Sequence, residues 1–254
     1  EPVVEVLPLA EIGITPDAWD DTLRECAGLT ALFSGYPQVV DGSLRISATA
    51  TNRYIVSSEG TRIRHGEAKY LMRLSVTVKT PEGLNLADDR RWFAVSPGAI
   101  PTSSEVRESL EALVDSLITT AEAPLLDGYT GPVLFDDIAA AQLFQALIAR
   151  GVAAQPGEAG GGRRRFSGGE NLERMVGKRL LPTPFSLWDD PSSSEYQGIP
   201  LAGHYQYDSE GVAPEKVGLV EGGKLRAMLM ARTPTSKFSG STGHGRGGRS
   251  GSIR

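Results

Sequence analysis

A chain of 254 residues, 40% hydrophobic and 22% charged, has enough apolar material for one large domain or two ordinary ones. Its net charge of −5 argues against a general nucleic-acid binder, and no apolar run approaches the ~18 residues of a membrane span. Cys26 is the only cysteine, which excludes an intrachain disulfide and a cysteine metal cluster.

The chain opens with Glu1-Pro-Val-Val and stops in a glycine-rich run, so it is expected to be a fragment or processed piece of a longer protein. Residues 1–13 read as an extended lead-in. Thr15-Pro16 is a helix start, a capping hydroxyl followed by proline, and Trp19, Leu23, Cys26, Leu29 and Phe33 mark one helical face. Cys26 reads as a small buried hydrophobe on that face. From Ser43 to Ala50 apolar and polar residues alternate as in a half-buried strand, and Asn52-Arg53 separates this from a short strand at Tyr54 to Ser57. Alternation returns from Lys69 to Lys79, with Tyr70, Met72, Leu74, Val76 and Val78 on one side. A turn at Pro81-Glu-Gly83 and a strand at Arg91 to Val95 complete an antiparallel meander.

Thr102-Ser-Ser-Glu105 is a capping box, and the helix it opens turns Val106, Leu110, Leu113, Val114 and Leu117 inward. Tyr129 to Phe135 reads as a strand leading into a helix from Asp136 to Arg150, with Ile138, Ala141, Phe144, Leu147 and Ile148 as its apolar face and Gly151 as terminator. Between Gln155 and Gly169 six glycines surround Arg163-Arg-Arg165 without visible period. That is a linker or loop, and no Walker-type Gly-Lys-Ser/Thr makes it a phosphate cradle. Strands are expected at Leu180 to Trp188 and Gly203 to Tyr207, followed by a hairpin of Lys216–Val220 and Leu225–Leu229 around Gly222-Gly223. The fold class is therefore α+β: an N-terminal antiparallel sheet with flanking helices over residues 1–155, a linker at 156–169, and an incomplete β-rich domain over 170–254.

Residue chemistry yields no active site by itself. His65, His204 and His244 are far apart, and none belongs to the short-spaced pair that a zinc site normally contains. Asp208 and Glu210 could be an acid/base pair, but beside Gly211 they read as turn formers, as do Asp189 and Asp190 before Pro191. The serines lack a nucleophile elbow, and the Arg/Gly tail has no aromatic interleaving for single strands.

Seven stretches, in order, resemble the TldD/PmbA family, peptidase-like proteins historically called modulators of DNA gyrase. They are Gly131-Pro-Val-Leu-Phe135 with its helix, Phe166-Ser-Gly168, Gly177-Lys178 and Trp188-Asp-Asp-Pro191. The others are Asp208-Ser-Glu-Gly211, Leu219-Val-Glu-Gly-Gly-Lys-Leu225 and Ser241-Thr-Gly-His-Gly-Arg246. The resemblance implies two domains, a role in proteolysis and, by family default, a cytoplasmic setting. It also implies a zinc site in active members, built on His-Glu-x-x-x-His in the helix after the Gly-Pro strand and on a distant cysteine. Here that hexapeptide is Gln145-Ala-Leu-Ile-Ala-Arg150. Gln145 is a poor zinc ligand, Ala146 cannot shuttle a proton, and Arg150 repels a cation. No zinc cofactor and no catalytic residue is therefore expected. The resemblance points instead to a PmbA (TldE)-like partner of a motif-bearing TldD-type subunit, binding unfolded peptide at loops carrying His204, Asp208, Glu210, Gly211, His244 and Arg246. The alternatives are an active metallopeptidase with ligands rebuilt from residues such as His204, His244 and Asp208, and a structural or nucleic-acid-associated protein.

Overall fold

The computed structural model describes residues 2–126, 128–149, 151–154 and 172–246, and its contacts fall into two units, one of residues 5–54 and 64–130, the other of residues 1–4, 55–63 and 131–254. In the first unit the alternation of apolar residues sets the sheet. Strand β3 (Arg62–Lys79) pairs with β1 (Val4–Val6), with β2 (Val39–Val56) and, antiparallel from Tyr70↔Ala94 to Lys79↔Asn85, with β4 (Asn85–Ala94). Tyr70, Met72, Leu74, Val76 and Val78 are all buried, as the period of two demands. Helix α1 spans Pro16–Ala31, capped by the Thr15 hydroxyl, and α2 spans Ser103–Ala121. Both halves of the Thr102/Glu105 capping box form. The bond from the Thr102 amide holds the Glu105 carboxyl below its usual range.

Leu110, Leu113, Val114 and Leu117 of α2 pack with Leu74, Val76 and Val78 of β3 into one core. Leu110 has no exposed surface, so Leu110→Ala removes buried methyl groups where the surroundings collapse only in part. The expected cost is about 2–5 kcal/mol. It is read as a fall in the denaturation midpoint at unchanged m-value; a change below ~1 kcal/mol is inconsistent with this packing.

Several local expectations are corrected in this unit. The lead-in is not free: the Leu7 amide donates to the Arg64 carbonyl and the Gly66 amide to the Pro8 carbonyl. The Asn52 side-chain amide bonds both the N–H and the C=O of Ala10 (2.8 and 3.0 Å). That engagement is why Asn52-Arg53 does not break β2, which runs through both predicted strands. Gly66 is required there, since a Cβ would lie 2.6 Å from the Leu9 carbonyl carbon. Cys26 is only partly buried, and Leu23 is exposed; burial, then the charge of Glu25, pushes the Cys26 thiol up. His65, in β3, is partly buried, with Nε2 lacking a partner among the described residues. Desolvation, then Arg53, lowers its pKa.

The second unit is held by a core of Ile148, Val152, Val217, Leu219, Val220, Leu225, Met228 and Leu229. Its three-stranded sheet has the order β5 (Leu187–Asp189), β8 (Val217–Glu221), β9 (Lys224–Leu225). Gly222 (φ +55°) and Gly223 (φ +78°) turn the chain between β8 and β9, the positive φ that a two-residue hairpin needs. A small hairpin absent from the sequence reading joins β6 (Glu195–Tyr196) to β7 (Ile199–Pro200) through Gln197 (φ +52°) and Gly198 (φ +78°). Because Ile148 and Val152 pack into this core, residues 131–154 belong to the second unit. The contacts thus divide the chain before that helix, and the expected linker, 156–169, lies outside the described residues.

Four expected strands are shorter or absent, the Leu225–Leu229 arm among them, since β9 covers only Lys224–Leu225. Pro182 and Pro184 remove ladder donors from Leu180 to Trp188, and only Leu187–Asp189 pairs. Gly203 to Tyr207 is loop, its amides donating to the carbonyls of Leu201 (from His204) and Pro191 (from Tyr205) rather than to a ladder. Tyr129 to Phe135 is not a strand, and Val133 and Leu134 are exposed. No helix among the described residues is long and apolar enough to cross a membrane.

Candidate functional site

The segment that carries the zinc motif in the resembling family is helical only in part. Helix α3 (Asp137–Phe144) widens into a π-turn at Gln145–Ala149. Its expected apolar face is mostly uncovered: Ile148 is buried, whereas Ile138 and Leu147 are exposed and Phe144 makes a tilted ring contact with Phe185 (6.3 Å). Opening the helix from a 3.6-residue to a wider turn changes which side chains follow one another along a face. Gln145 and Ala146 are exposed, and Arg150 lies outside the described residues. An amide and a methyl group do not fit a zinc site with an acid/base partner. Among the described residues no three His, Cys, Asp or Glu side chains form a group that could hold a metal.

A different place draws together residues that are distant in the chain. Asp189 ends β5, His204 and Tyr205 lie on the following loop, Asp208 to Gly211 forms a turn, and Ser241 to Arg246 returns to meet them. The Asp208 side chain is fully buried. Its Oδ1 accepts the amides of Glu210 and Val212 (2.9 Å each) and its Oδ2 the amide of Gly245 (2.8 Å). The first pair is the local Asx geometry expected of a turn former; the third bond, 37 residues away, ties two loops together. Bonds to three fixed amides occupy most of the roughly four acceptor sites of this carboxylate and commit it to holding backbone. Asp208 is therefore a structural anchor. Glu210 accepts the Arg232 amide (2.7 Å), and Arg232 pairs with Glu59 at the tip of the β2–β3 hairpin. Gly211 (φ +76°) sits against Ile55, Thr61 and Ile63 of the same tip. Neither Asp208 nor Glu210 stands as a free acid or base.

His244 is buried, with both ring nitrogens engaged. Nε2 donates to Asp189 Oδ1 at 3.0 Å, and Nδ1 faces the Thr242 carbonyl (2.8 Å) and hydroxyl (2.9 Å). The Tyr205 hydroxyl donates to the Gly243 carbonyl (2.8 Å). Burial pushes the Tyr205 phenol far above its usual pKa; Arg246, whose guanidinium carbon lies 4.4 Å from the ring centroid, offsets this in part. Beneath these groups is a cavity of about 220 Å³, lined by Asp189, Asp190, Pro191, His204, Tyr205 and Arg246 among others. The His204 ring meets the Pro191 carbonyl through Nδ1 at 2.9 Å. Of the loop residues expected to bind substrate, His204, His244 and Arg246 meet at this cavity, Asp208 supports it from behind, and Glu210 and Gly211 face a second cavity beside Glu59 and Arg232. The sequence reading missed Tyr205 and Asp189 as members. The signal for Asp189 was the family-like stretch Trp188 to Pro191, but its partner lies 55 residues on, and Tyr205 lies in none of the family-like stretches.

The sequence profile of the PmbA/TldA metallopeptidase C-terminal domain matches residues 127–254. The chain belongs to the PmbA/TldD family. The structure is similar to a Thermotoga maritima protein described as a modulator of a DNA gyrase (TM-score 0.61, 16% identity, covering 97% of this chain and 54% of that one). It is similar also to a Bacteroides thetaiotaomicron protein described as a modulator of DNA gyrase (TM-score 0.58, 13% identity, 92% and 52%). A third similar structure is TldE from Thermococcus kodakarensis (TM-score 0.51, 15% identity, 88% and 47%). At these identities the likeness is one of fold, and the chain spans about half the length of these solved relatives. No curated protein sequence matches it. The cavity gathers two of the family-like stretches, Trp188–Pro191 and Ser241–Arg246, and a third, Asp208–Gly211, is tied to the latter by the Asp208–Gly245 bond. Gly177-Lys178 packs separately, against Leu225 of the β8–β9 hairpin.

Proposed function

We propose that this PmbA/TldD-type chain serves proteolysis as a non-catalytic, peptide-binding subunit partnering a motif-bearing TldD-type subunit. The observation that carries this reading is the exposed Gln145-Ala146 pair where a zinc ligand and a catalytic glutamate would stand. The state of the other donors supports it. Asp208 is held by three backbone amides and His244 has both nitrogens engaged, which disfavours both as ligands of a rebuilt metal centre. Strand β5 forms one edge of the sheet β5–β8–β9 and offers an extended peptide a place to add a strand, with Trp188 exposed on it.

Co-expression with a motif-bearing relative is expected to yield a stable complex. The chain alone should carry no stoichiometric zinc after purification in zinc-containing buffer. Stoichiometric zinc, retained through dialysis against a weak chelator, would instead establish the rebuilt-metallopeptidase reading. Absence of any complex and of any bound peptide over repeated preparations sinks the partner reading.

A further inference from the structure

We propose that the cavity bounded by Pro191, His204 and Arg246 takes the terminal carboxylate of a peptide, so that the chain recognises free C-termini. This rests on the peptide-binding reading above and adds which part of the peptide is bound, and where.

Two carboxylates line the cavity, and each already has its own partner. Asp189 accepts His244 Nε2–H, while Asp190 accepts the Ser192 hydroxyl (2.5 Å) and faces the Lys216 ammonium at 3.9 Å. Arg246 differs. Its backbone amide donates to the His244 carbonyl, but its guanidinium rests against the face of Tyr205, and among the described residues no carboxylate or carbonyl accepts the guanidinium donors. Contact with a ring face uses the cation's charge and leaves its planar fork of donors open. A partly desolvated cation at a concave site with unused donors is matched by an incoming anion, and a carboxylate fits the fork in bidentate fashion. The two aspartates in the same wall select the charge of that anion. A monoanion is tolerated beside them, whereas a phosphate dianion meets stronger repulsion.

His204 supplies the second point. The Pro191 carbonyl can only accept, so Nδ1 donates to it, and in the neutral ring Nε2 is then a lone-pair acceptor. Nε2 has no hydrogen-bond partner among the described residues, and His204 lines the same cavity. An acceptor, an unpaired cation and the apolar surfaces of Leu201 and Pro191 together match the last residue of a peptide: its backbone N–H, its carboxylate and its side chain. The cavity also follows directly on β5, so a peptide added along that edge runs toward it. At about 220 Å³ it suits a terminal residue rather than a folded partner.

The test measures binding of one N-acetylated alanine/leucine pentapeptide in two forms, with a free C-terminal carboxylate and as the C-terminal amide, by calorimetry on the full chain. The free acid is expected to bind at least ~10-fold more tightly. Arg246→Gln should abolish that preference, and Arg246→Lys, which keeps charge but loses the fork, should restore it in part. Equal affinity of acid and amide overturns the carboxylate site and leaves peptide binding standing. Failure of both peptides to bind overturns both readings. If Arg246→Gln weakens acid and amide alike, the residue supports the fold and the inference is wrong.

Discussion

Replacing Asp208 by alanine is expected to unravel the candidate site and to destabilise its unit by about 3–5 kcal/mol. The carboxylate is fully buried and satisfies the amides of Glu210, Val212 and Gly245. Truncation leaves three donors without partners, each costing roughly 1–3 kcal/mol when still shielded from water, with relaxation absorbing part of the sum. Asp208→Asn should fall between. Its oxygen can keep one side of the bonding, but its NH₂ must then face an N–H on the other, and the charge assistance is lost. Amide hydrogen exchange separates this from general destabilisation. Gly245, held only by the distant Oδ2, should lose protection in both variants, while Val220 in β8 should follow the global change alone. An Asp208→Ala protein within ~0.5 kcal/mol of the parent, with Gly245 still protected, would falsify the anchor role. Because no proton transfer is assigned to Asp208, its conservative variant should perturb peptide binding only through the position of the 241–246 loop.

How far the sequence could be read follows from the range of the interactions involved. Helix α2 was legible because its signals are local: the Thr102/Glu105 box sits within one turn, and Val106, Leu110, Leu113, Val114 and Leu117 repeat at helical spacing. The inward residues of β3 were legible for the same reason, since alternation is a property of neighbours. The α+β class followed from those two elements. Tyr129 to Phe135 shows the limit: β-favouring residues at Val133 to Phe135 follow Pro132, which lacks a ladder donor, and the segment is not a strand. The β6–β7 turn was missed because a glutamine at positive φ carries no composition signal. The site was least legible. Asp189 and His244, and Asp208 and Gly245, meet across 55 and 37 residues, and reading Asp208 as a turn former captured two of its three side-chain bonds but not the one that builds the site. Family resemblance pointed at these stretches without showing that three of them converge.

The same convergence makes Gly243 the most demanding position in the returning loop, and Gly243→Ala is expected to cost about 3 kcal/mol or more. Two independent requirements meet there. Its φ is +71°, a left-handed conformation worth roughly 1 kcal/mol against any residue with a Cβ. A Cβ would also lie 2.6 Å from the Ala213 carbonyl carbon and from Pro214 Cα, backbone atoms that cannot rotate aside. Relief requires the 241–246 segment to move off the 213–215 segment, to which it is tied by the Glu215 amide on the Thr242 carbonyl (3.0 Å). That movement carries away the Gly243 carbonyl, the acceptor of the Tyr205 hydroxyl, and with it the ring on which Arg246 rests. Gly240 is the internal control. It has no positive φ and open space where its Cβ would be, so Gly240→Ala should lie within ~0.5 kcal/mol of the parent. Thermal unfolding of the two variants measures the contrast, and the acid-versus-amide peptide preference measured beside it connects packing to function. Gly243→Ala should lose both stability and preference, and Gly240→Ala neither. Equal stability of the two would mean that the 241–246 loop is not clamped where it is drawn. A stable Gly243→Ala protein that kept its preference would separate the carboxylate cavity from the Tyr205–Gly243 bond.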